Sequence, residues 1–189
     1  NFFTMNLAQA QRLFETVPWV ARASVRRVWP DLLVVTVDEH RAIGLWSDGR
    51  VLSARGDLFV ANAAEAELDG VLASFAGPPE QADAAAARFK EFSALLAPLA
   101  MSVATLEISE RASWLLVTAT ESGKGPRIEL GRDEPAGRVR ERLATLAAAW
   151  PMVVAQLGGQ PKRMDARYAN GFAVASPTSP LTGEKTHAR

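Results

Sequence analysis

Histidine is the residue type with which a catalytic or metal site would most readily be built, and this sequence has two. His187 lies in a polar terminal stretch. His40 follows Asp38 and Glu39, an arrangement that suggests a carboxylate–imidazole pair for general base catalysis. Neighbouring side chains of a strand point to opposite faces, so only Asp38 shares a side with His40. We therefore expect His40 to be solvated or to face a partner at the end of a strand.

Other motifs with chemical potential also have simpler interpretations. The segment Ser122-Gly123-Lys124-Gly125 contains a Gly-Lys pair, but a phosphate-binding loop needs a longer glycine-bounded loop between a strand and a helix. Here the segment lies between two predicted strands, which favours a hairpin turn. The absence of cysteine removes thiolate nucleophiles and disulfides, and two histidines leave too few soft ligands for zinc. The sequence predicts no catalytic residue, cofactor site or metal site.

The charge balance argues against nucleic acid as the main ligand. Lysine plus arginine equals aspartate plus glutamate at 21 each, whereas phosphate binding is driven by excess positive charge. Arg22, Arg26 and Arg27 form a local basic cluster, which we interpret as a solvated strand face rather than a partner patch. With 48% hydrophobic and 22% charged residues, the 189-residue chain has the composition of a globular protein with one large or two small domains.

The first 40 residues are predicted to form a helix packed on a hairpin. Asn6 with Gln9 resembles a capping box, and apolar residues follow at helical spacing until Pro18. Two alternating runs then flank a turn at Trp29-Pro30-Asp31. No apolar run approaches the ~20 residues needed to span a bilayer. Because the chain opens Asn1-Phe2-Phe3, we interpret it as a fragment whose targeting or membrane segment lies upstream.

The remainder is predicted to be mostly β. Short strands are expected at Ala42–Trp46, Arg50–Leu52, Leu58–Val60 and Val71–Phe75, then a long helix from Ala82 to Leu99. Three alternating segments between residues 104 and 130 predict a β-meander, and Asp133 caps a helix that Pro151 ends. Asn170-Gly171 is a strong signal for a two-residue hairpin turn between strands at 163–168 and 172–175. Residues 176–189 have the composition of a disordered tail.

Several stretches in this order resemble one family, the FtsQ/DivIB cell-division proteins. The first block is Val17-Pro18-Trp19-Val20 with Arg27-Val28-Trp29-Pro30, followed by Glu39-His40-Arg41 and Arg111-Ala112-Ser113-Trp114. The last is Asp165-Ala166-Arg167-Tyr168-Ala169-Asn170-Gly171. The resemblance runs from Asn1 to about Ala175, and the first and last blocks together make it specific.

The resemblance implies an α+β fold: a partial POTRA domain (a helix plus two strands) followed by a mostly antiparallel β-domain with two helices. The expected domains are residues 1–40, the C-terminal part of the POTRA domain, and 41–175, the β-domain. The first strand and helix of the POTRA domain would lie upstream of Asn1. The family is a non-enzymatic divisome scaffold, held in the inner membrane by one transmembrane helix and facing the periplasm at the septum.

The resemblance also implies partners and a site. Family members form a complex with FtsB and FtsL, and a segment of FtsB adds to the edge of the last strand. The implied partner-binding positions are Arg111, Arg167, Tyr168, Asn170, Gly171, Phe172 and Val174. Family members often carry an aromatic residue after the final strand, where this chain has Ser176-Pro177. Independently of the family, an exposed sheet edge offers unpaired amide and carbonyl groups, and Tyr168 is a suitable anchor.

Two other functions remain open at this stage. The chain could be a POTRA-containing module of an outer-membrane protein transport or assembly system, for which tandem POTRA units and a following barrel would be expected. The sequence has one partial POTRA and a polar tail, which disfavours that class. An unrecognised hydrolase is the third interpretation, and an activity screen would test it.

Overall fold

The computed structural model describes residues 6–66, 71–168 and 171–175. It confirms the α+β class: a helix and two antiparallel strands come first, and a mostly β region with helices follows. The chain divides into two compact units, one of residues 1–75 with 79–87 and the other of residues 76–78 with 88–189. The division passes through a strand at Ala73–Ala76 and a helix at Ala82–Leu96. The predicted tail at 176–189 lies outside the described residues.

The first unit begins with helix α1 (Leu7–Phe14) and the hairpin of β1 (Val20–Val28) and β2 (Leu32–Glu39). The cap forms as predicted, since the Asn6 side chain accepts a hydrogen bond from the Gln9 amide. The helix ends at Phe14, three residues before the predicted end at Val17. Thr16 explains the early end, because its hydroxyl donates to the Leu13 carbonyl at 2.7 Å and forms a local turn.

Short strands complete this unit: β3 (Ala42–Trp46), β4 (Val51–Ser53), β5 (Leu58–Phe59) and β6 (Ala73–Ala76, whose last residue belongs to the second unit). Their order is β6-β3-β4-β5. Gly44 allows β3 and β6 to approach, since a Cβ there would collide with the Ala73 carbonyl and the Phe75 ring. A short helix, α2 (Ala63–Ala66), was not predicted.

Aromatic contacts join residues on either side of the expected domain boundary at residue 40. The Trp19 indole N–H donates to Glu65 at 2.8 Å, and its ring meets Phe59 edge-on with centroids 5.2 Å apart. The His40 ring also stacks on Phe59, with ring centroids 4.4 Å apart. The His40 side chain is only 11% exposed and its Nδ1 lies 3.7 Å from Asp57. The prediction of a solvated or partner-facing His40 is therefore wrong, because stacking on Phe59 buries the ring.

The second unit is built on a meander of β7 (Met101–Ile108), β8 (Ser113–Thr120) and β9 (Gly123–Arg132), extended by β10 (Arg163–Asp165) and β11 (Ala173–Ala175) in the order β11-β10-β9-β8-β7. One row across four strands, Leu106–Leu116–Ile128–Met164, is buried throughout. The hairpin turn predicted at Ser122–Gly125 lies too far along the chain, because β9 already begins at Gly123 and the connection is Glu121-Ser122.

Two helices accompany this sheet: α3 (Ala82–Leu96), of which residues 88–96 belong to this unit, and α4 (Arg138–Leu157). Phe92 of α3 meets Trp114 edge-on, and α4 buries Val139, Leu143, Leu146, Trp150 and Val153. The prediction that Pro151 ends this helix is wrong, since the helix continues to Leu157 and closes at Gly158 with a positive φ. None of the helices among the described residues has both the length and the hydropathy needed to cross a membrane.

Candidate partner-binding site

The last two strands, β10 and β11, lie at one edge of the second unit's sheet. β10 pairs parallel to β9 and antiparallel to β11. In the described part of the chain β11 pairs on one side only, so it is an edge strand with main-chain groups available on the other. Val174 is half-buried, whereas Ala173 and Ala175 are exposed. The outer strand expected at 172–175 is thus present, and it is short.

The connection between these strands differs from the predicted two-residue turn. Asp165 pairs with Ala173 and Met164 with Val174, so the connection, which we call the Tyr168 loop, leaves β10 after Asp165 and enters β11 at Ala173. A tight Asn170-Gly171 turn would instead pair Tyr168 with Ala173. Its failure has a tertiary cause: β10 must pair with β9 to bury Met164 beside Ile128, and the Ala166 amide then donates to the Glu129 carbonyl at 2.8 Å. Asn170 itself lies outside the described residues.

Arg142 of α4 positions the first half of this loop. Its Nη1 donates to the Leu130 carbonyl at 2.7 Å and to the Arg132 carbonyl at 3.0 Å, and its Nη2 reaches the Arg167 carbonyl at 3.4 Å. Gly131 has φ +74 and lies close to both arginine side chains. A Cβ at this position would be 3.2 Å from Nη1 of Arg142 and 3.1 Å from Cγ of Arg167. Nothing in the sequence distinguished Arg142 from the other polar residues of its helix, so this role was not predicted.

Tyr168 is the most exposed aromatic side chain of this region, at 59%. It lines a cavity of about 120 Å³ together with Gly171, Phe172 and four polar residues of α4, namely Arg138, Glu141, Arg142 and Thr145. The lining of this cavity therefore combines aromatic rings with polar side chains. An exposed ring beside a small cavity can be covered by a partner side chain, which is the environment of binding hot spots.

Arg167 is ion-paired within the chain. Its guanidinium binds both carboxylate oxygens of Asp165, at 2.9 and 2.6 Å, and lies 3.5 Å from Glu129, which Arg163 also contacts at 2.6 Å. The Arg167 hydrogen bond is the main reason that the pKa of Asp165 lies below its usual value. Asp165 and Arg167 are two residues apart at the end of a strand, so their side chains are expected on the same face. This ion pair could therefore have been predicted from the sequence.

Arg111 lies in the loop between β7 and β8, where Ala112 has φ +55 and its amide donates to the Ser109 carbonyl at 2.8 Å. Ser109 and Ser113, which bracket this loop, line a groove of about 340 Å³ together with Arg167. Ser113 also pairs with Arg132 at the end of β9, so the Arg111 loop and the Tyr168 loop leave the sheet at the same end.

Six of the seven predicted partner-binding residues thus lie within described residues. Tyr168, Gly171 and Phe172 share the small cavity, Arg167 adjoins it along the chain, and Val174 belongs to the edge strand. Arg111 belongs to a separate loop across the groove. Across residues 6–66, 71–168 and 171–175, no group of three acidic or histidine side chains is arranged to hold a metal ion.

Two family models match this chain, one for each of its parts. The model described as cell division protein FtsQ/DivIB, C-terminal, matches residues 44–167, and the model of the FtsQ-type POTRA domain matches residues 1–40. The first of these covers more than half of the chain.

The chain belongs to the FtsQ/DivIB family.

Full-length relatives support the same assignment. The chain is 40% identical to cell division protein FtsQ of Burkholderia pseudomallei over 174 residues, which is 92% of this chain and 67% of the relative. It is 36% identical to FtsQ of Bordetella pertussis over 187 residues, 93% of this chain and 67% of that protein. FtsQ of Vibrio cholerae is 26% identical over 189 residues. The chain therefore belongs to a family of cell division proteins, and it spans about two thirds of the length of these relatives.

Proposed function

We propose that this chain is a scaffold of the divisome that recruits and links FtsB and FtsL without catalysing a reaction. We further propose that this region lies outside the inner membrane, at the septum, on a protein held by a transmembrane helix, and the family membership supports this location. The observation that carries the proposal is the open edge of β11 beside Tyr168. Its domains would be the POTRA part at residues 1–40 and the β-domain at 41–175.

The docking mode we propose is strand addition by FtsB at β11. A partner strand would satisfy the main-chain groups on the free side of this strand, which pair with no other strand in the described chain. The three residues of β11 offer few hydrogen bonds, so side chains must add affinity. Tyr168 and Phe172 supply apolar surface next to the small cavity, and Val174 is half-buried in the strand.

Charge has a secondary part in this proposal. Arg167 already binds Asp165, so a partner carboxylate there would compete with an internal ion pair. Arg111 is exposed in its loop and is the better candidate to meet an acidic residue of FtsB. An ion pair at such a rim mainly increases the association rate and is screened by salt.

The decisive experiment removes the Tyr168 ring. Tyr168→Ala should weaken binding of the extracytoplasmic segment of FtsB by about 2 kcal/mol or more, roughly thirtyfold, because a buried aromatic anchor contributes on this scale. Titration calorimetry with the full chain gives the dissociation constant. Tyr168→Phe keeps the ring and should bind nearly as well as the original protein.

Two controls make the result interpretable. Met152→Ala removes an exposed apolar side chain of α4 outside the cavity and should leave the affinity unchanged. Circular dichroism must show the same fold for all variants. Undiminished binding by Tyr168→Ala would refute this site, while the family membership would stand.

A further inference from the structure

A second surface of the same unit has the composition of an anion-binding site. Lys124 and Gly125 at the start of β9, Arg127 of the same strand, and Gln160, Pro161 and Lys162 before β10 line a groove of about 410 Å³. We call these residues the basic groove. Three of them are cations and none is acidic. Because β9 and β10 run parallel, the groove lies at the end of β10 opposite to the Tyr168 loop.

The three cations have no ion-pair partner within the described residues. The carboxylates further along these strands are already engaged, since Glu129 binds Arg163 at 2.6 Å and Asp165 binds Arg167 at 2.6 Å. Lys124, Arg127 and Lys162 are all exposed. In a chain of zero net charge, three uncompensated cations in one concavity produce a local positive potential.

The basic groove also adjoins an uncovered stretch of main chain. β8 pairs with β9 from Gly123 to Arg132, but β10 covers its other side only from Arg127 to Glu129. The Arg127 amide donates to the Lys162 carbonyl at 3.0 Å and closes that pairing. In the part of the chain that the structure describes, residues 123–125 of β9 have no strand on this side, so an extended segment could pair there in line with β10. Pro126 is not part of this stretch, because it has no amide and its carbonyl accepts from the Thr118 hydroxyl.

We propose that the basic groove binds an extended acidic peptide segment of a partner protein. The peptide main chain would lie beside residues 123–125, and its carboxylates would pair with Lys124, Arg127 and Lys162. Charge complementarity identifies the occupant as anionic, and the uncovered strand edge favours a polypeptide. A membrane surface is the less suitable partner, because flat headgroup layers need projecting cations, whereas these line a concavity whose Pro161 is buried.

The test uses a labelled probe peptide of about eight residues with alternating Glu and Val, a pattern that places carboxylates on one face of a strand. Fluorescence anisotropy with the full chain should show binding that weakens at higher salt, because exposed ion pairs are screened. The double variant Lys124→Glu with Lys162→Glu should bind the probe at least tenfold more weakly. Lys90→Glu with Arg140→Glu changes the net charge equally at exposed positions outside the groove and should bind like the original protein.

Three further probes identify the kind of ligand. A Gln/Val peptide of the same length lacks the carboxylates and should bind at least tenfold more weakly. A Glu peptide with alternate prolines keeps the carboxylates but cannot pair through its main chain, so it should also bind at least tenfold more weakly. Phosphatidylglycerol vesicles should not compete with the Glu/Val peptide. Tyr168→Ala should bind this peptide normally, which separates the proposal from the FtsB site.

Several results would overturn the proposal. The proposal fails if the Glu/Val peptide does not bind. It also fails if the groove variant and the control variant lose the same affinity, or if the proline-containing peptide binds with full affinity. Binding of vesicles in place of the peptide would assign the basic groove to a membrane surface instead. If the double variant does not fold, Lys162→Gln alone should still reduce the affinity and its salt dependence, and no reduction would count against the groove.

Discussion

Single residues of the second unit have partners that are distant in sequence. Asp133 is the predicted cap of α4; the N-cap residue is instead Gly137, although the Asp133 side chain accepts a hydrogen bond from the Val139 amide in the first turn at 3.1 Å. Its second bond, with the Arg88 guanidinium at 2.6 Å, joins residues 45 positions apart and could not be inferred from local pattern. Burial alone would raise the pKa of Asp133, but the hydrogen bonds from Val139 and Arg88 outweigh it and lower the pKa below 3.8.

The substitution Asp133→Asn tests this pair and its pH dependence. Because the pKa is lower in the folded than in the unfolded state, the charge stabilises the fold above pH 3.8, and this contribution is lost as the pH falls through the folded pKa. We expect the variant to lose about 1–2 kcal/mol of unfolding free energy at neutral pH, since a charged hydrogen bond in a half-buried site is removed.

Urea unfolding at neutral pH and at about pH 3 measures the effect on Asp133, and the gap between variant and original protein should narrow in acid. Glu121→Gln, at an exposed turn, is the matched control and should change little at either pH. A gap of equal size at both values would mean that the charge of Asp133 contributes nothing.

At the scale of elements, alternation predicted strands well and turn signals predicted connections less well. The meander was found because its strands are long and bury one face, which gives a regular pattern. The Asn170-Gly171 signal is local, and pairing with β9 determined the register of the last strands instead. Of the candidate site, Tyr168 and its loop were predicted from family resemblance and stay a prediction, whereas the hydrogen bonds of Arg142 depend on how a helix packs against the sheet.

Helix α4 shows the same competition between a local signal and packing. Pro151 lacks the amide that an interior helical position donates, which costs about 3 kcal/mol relative to alanine. Trp150 and Val153 on either side of it are buried, and that burial favours continuation to Leu157. The sequence prediction gave the proline too much weight, because it could not include the burial of residues beyond it.

Pro151→Ala should therefore stabilise the protein. The helical gain exceeds the roughly 1 kcal/mol that proline contributes by restricting the unfolded chain, so a net increase of about 1–2 kcal/mol is expected. Thermal and urea unfolding should both show it. Met152→Ala, at the next and exposed position, should change stability little by comparison. A loss of stability in Pro151→Ala would mean that the packing of α4 requires the proline.

At the scale of the whole molecule, the opening helix and hairpin bury far less than the meander strands. Helix α1 contains no buried residue, and Ala23 is the buried residue of β1. β2 is exposed over most of its length. The meander strands β7 and β8, in contrast, bury most of their apolar side chains. Because an isolated two-stranded hairpin is marginal in water, we expect the helix and hairpin of residues 7–39 to open more readily than the meander.

Hydrogen exchange measures that difference directly. Amides of residues 7–39 should exchange faster than those of residues 101–132, because opening the helix and hairpin exposes little apolar surface whereas opening the meander exposes the buried row of Leu106, Leu116 and Ile128. Strand β3, in the same unit as the hairpin but with alternate residues buried, is the internal control and should exchange slowly. Equal protection of the hairpin and the meander would contradict this expectation. It would show that the contacts of Trp19 and His40 with Phe59 stabilise residues 7–39 as much as a buried core would.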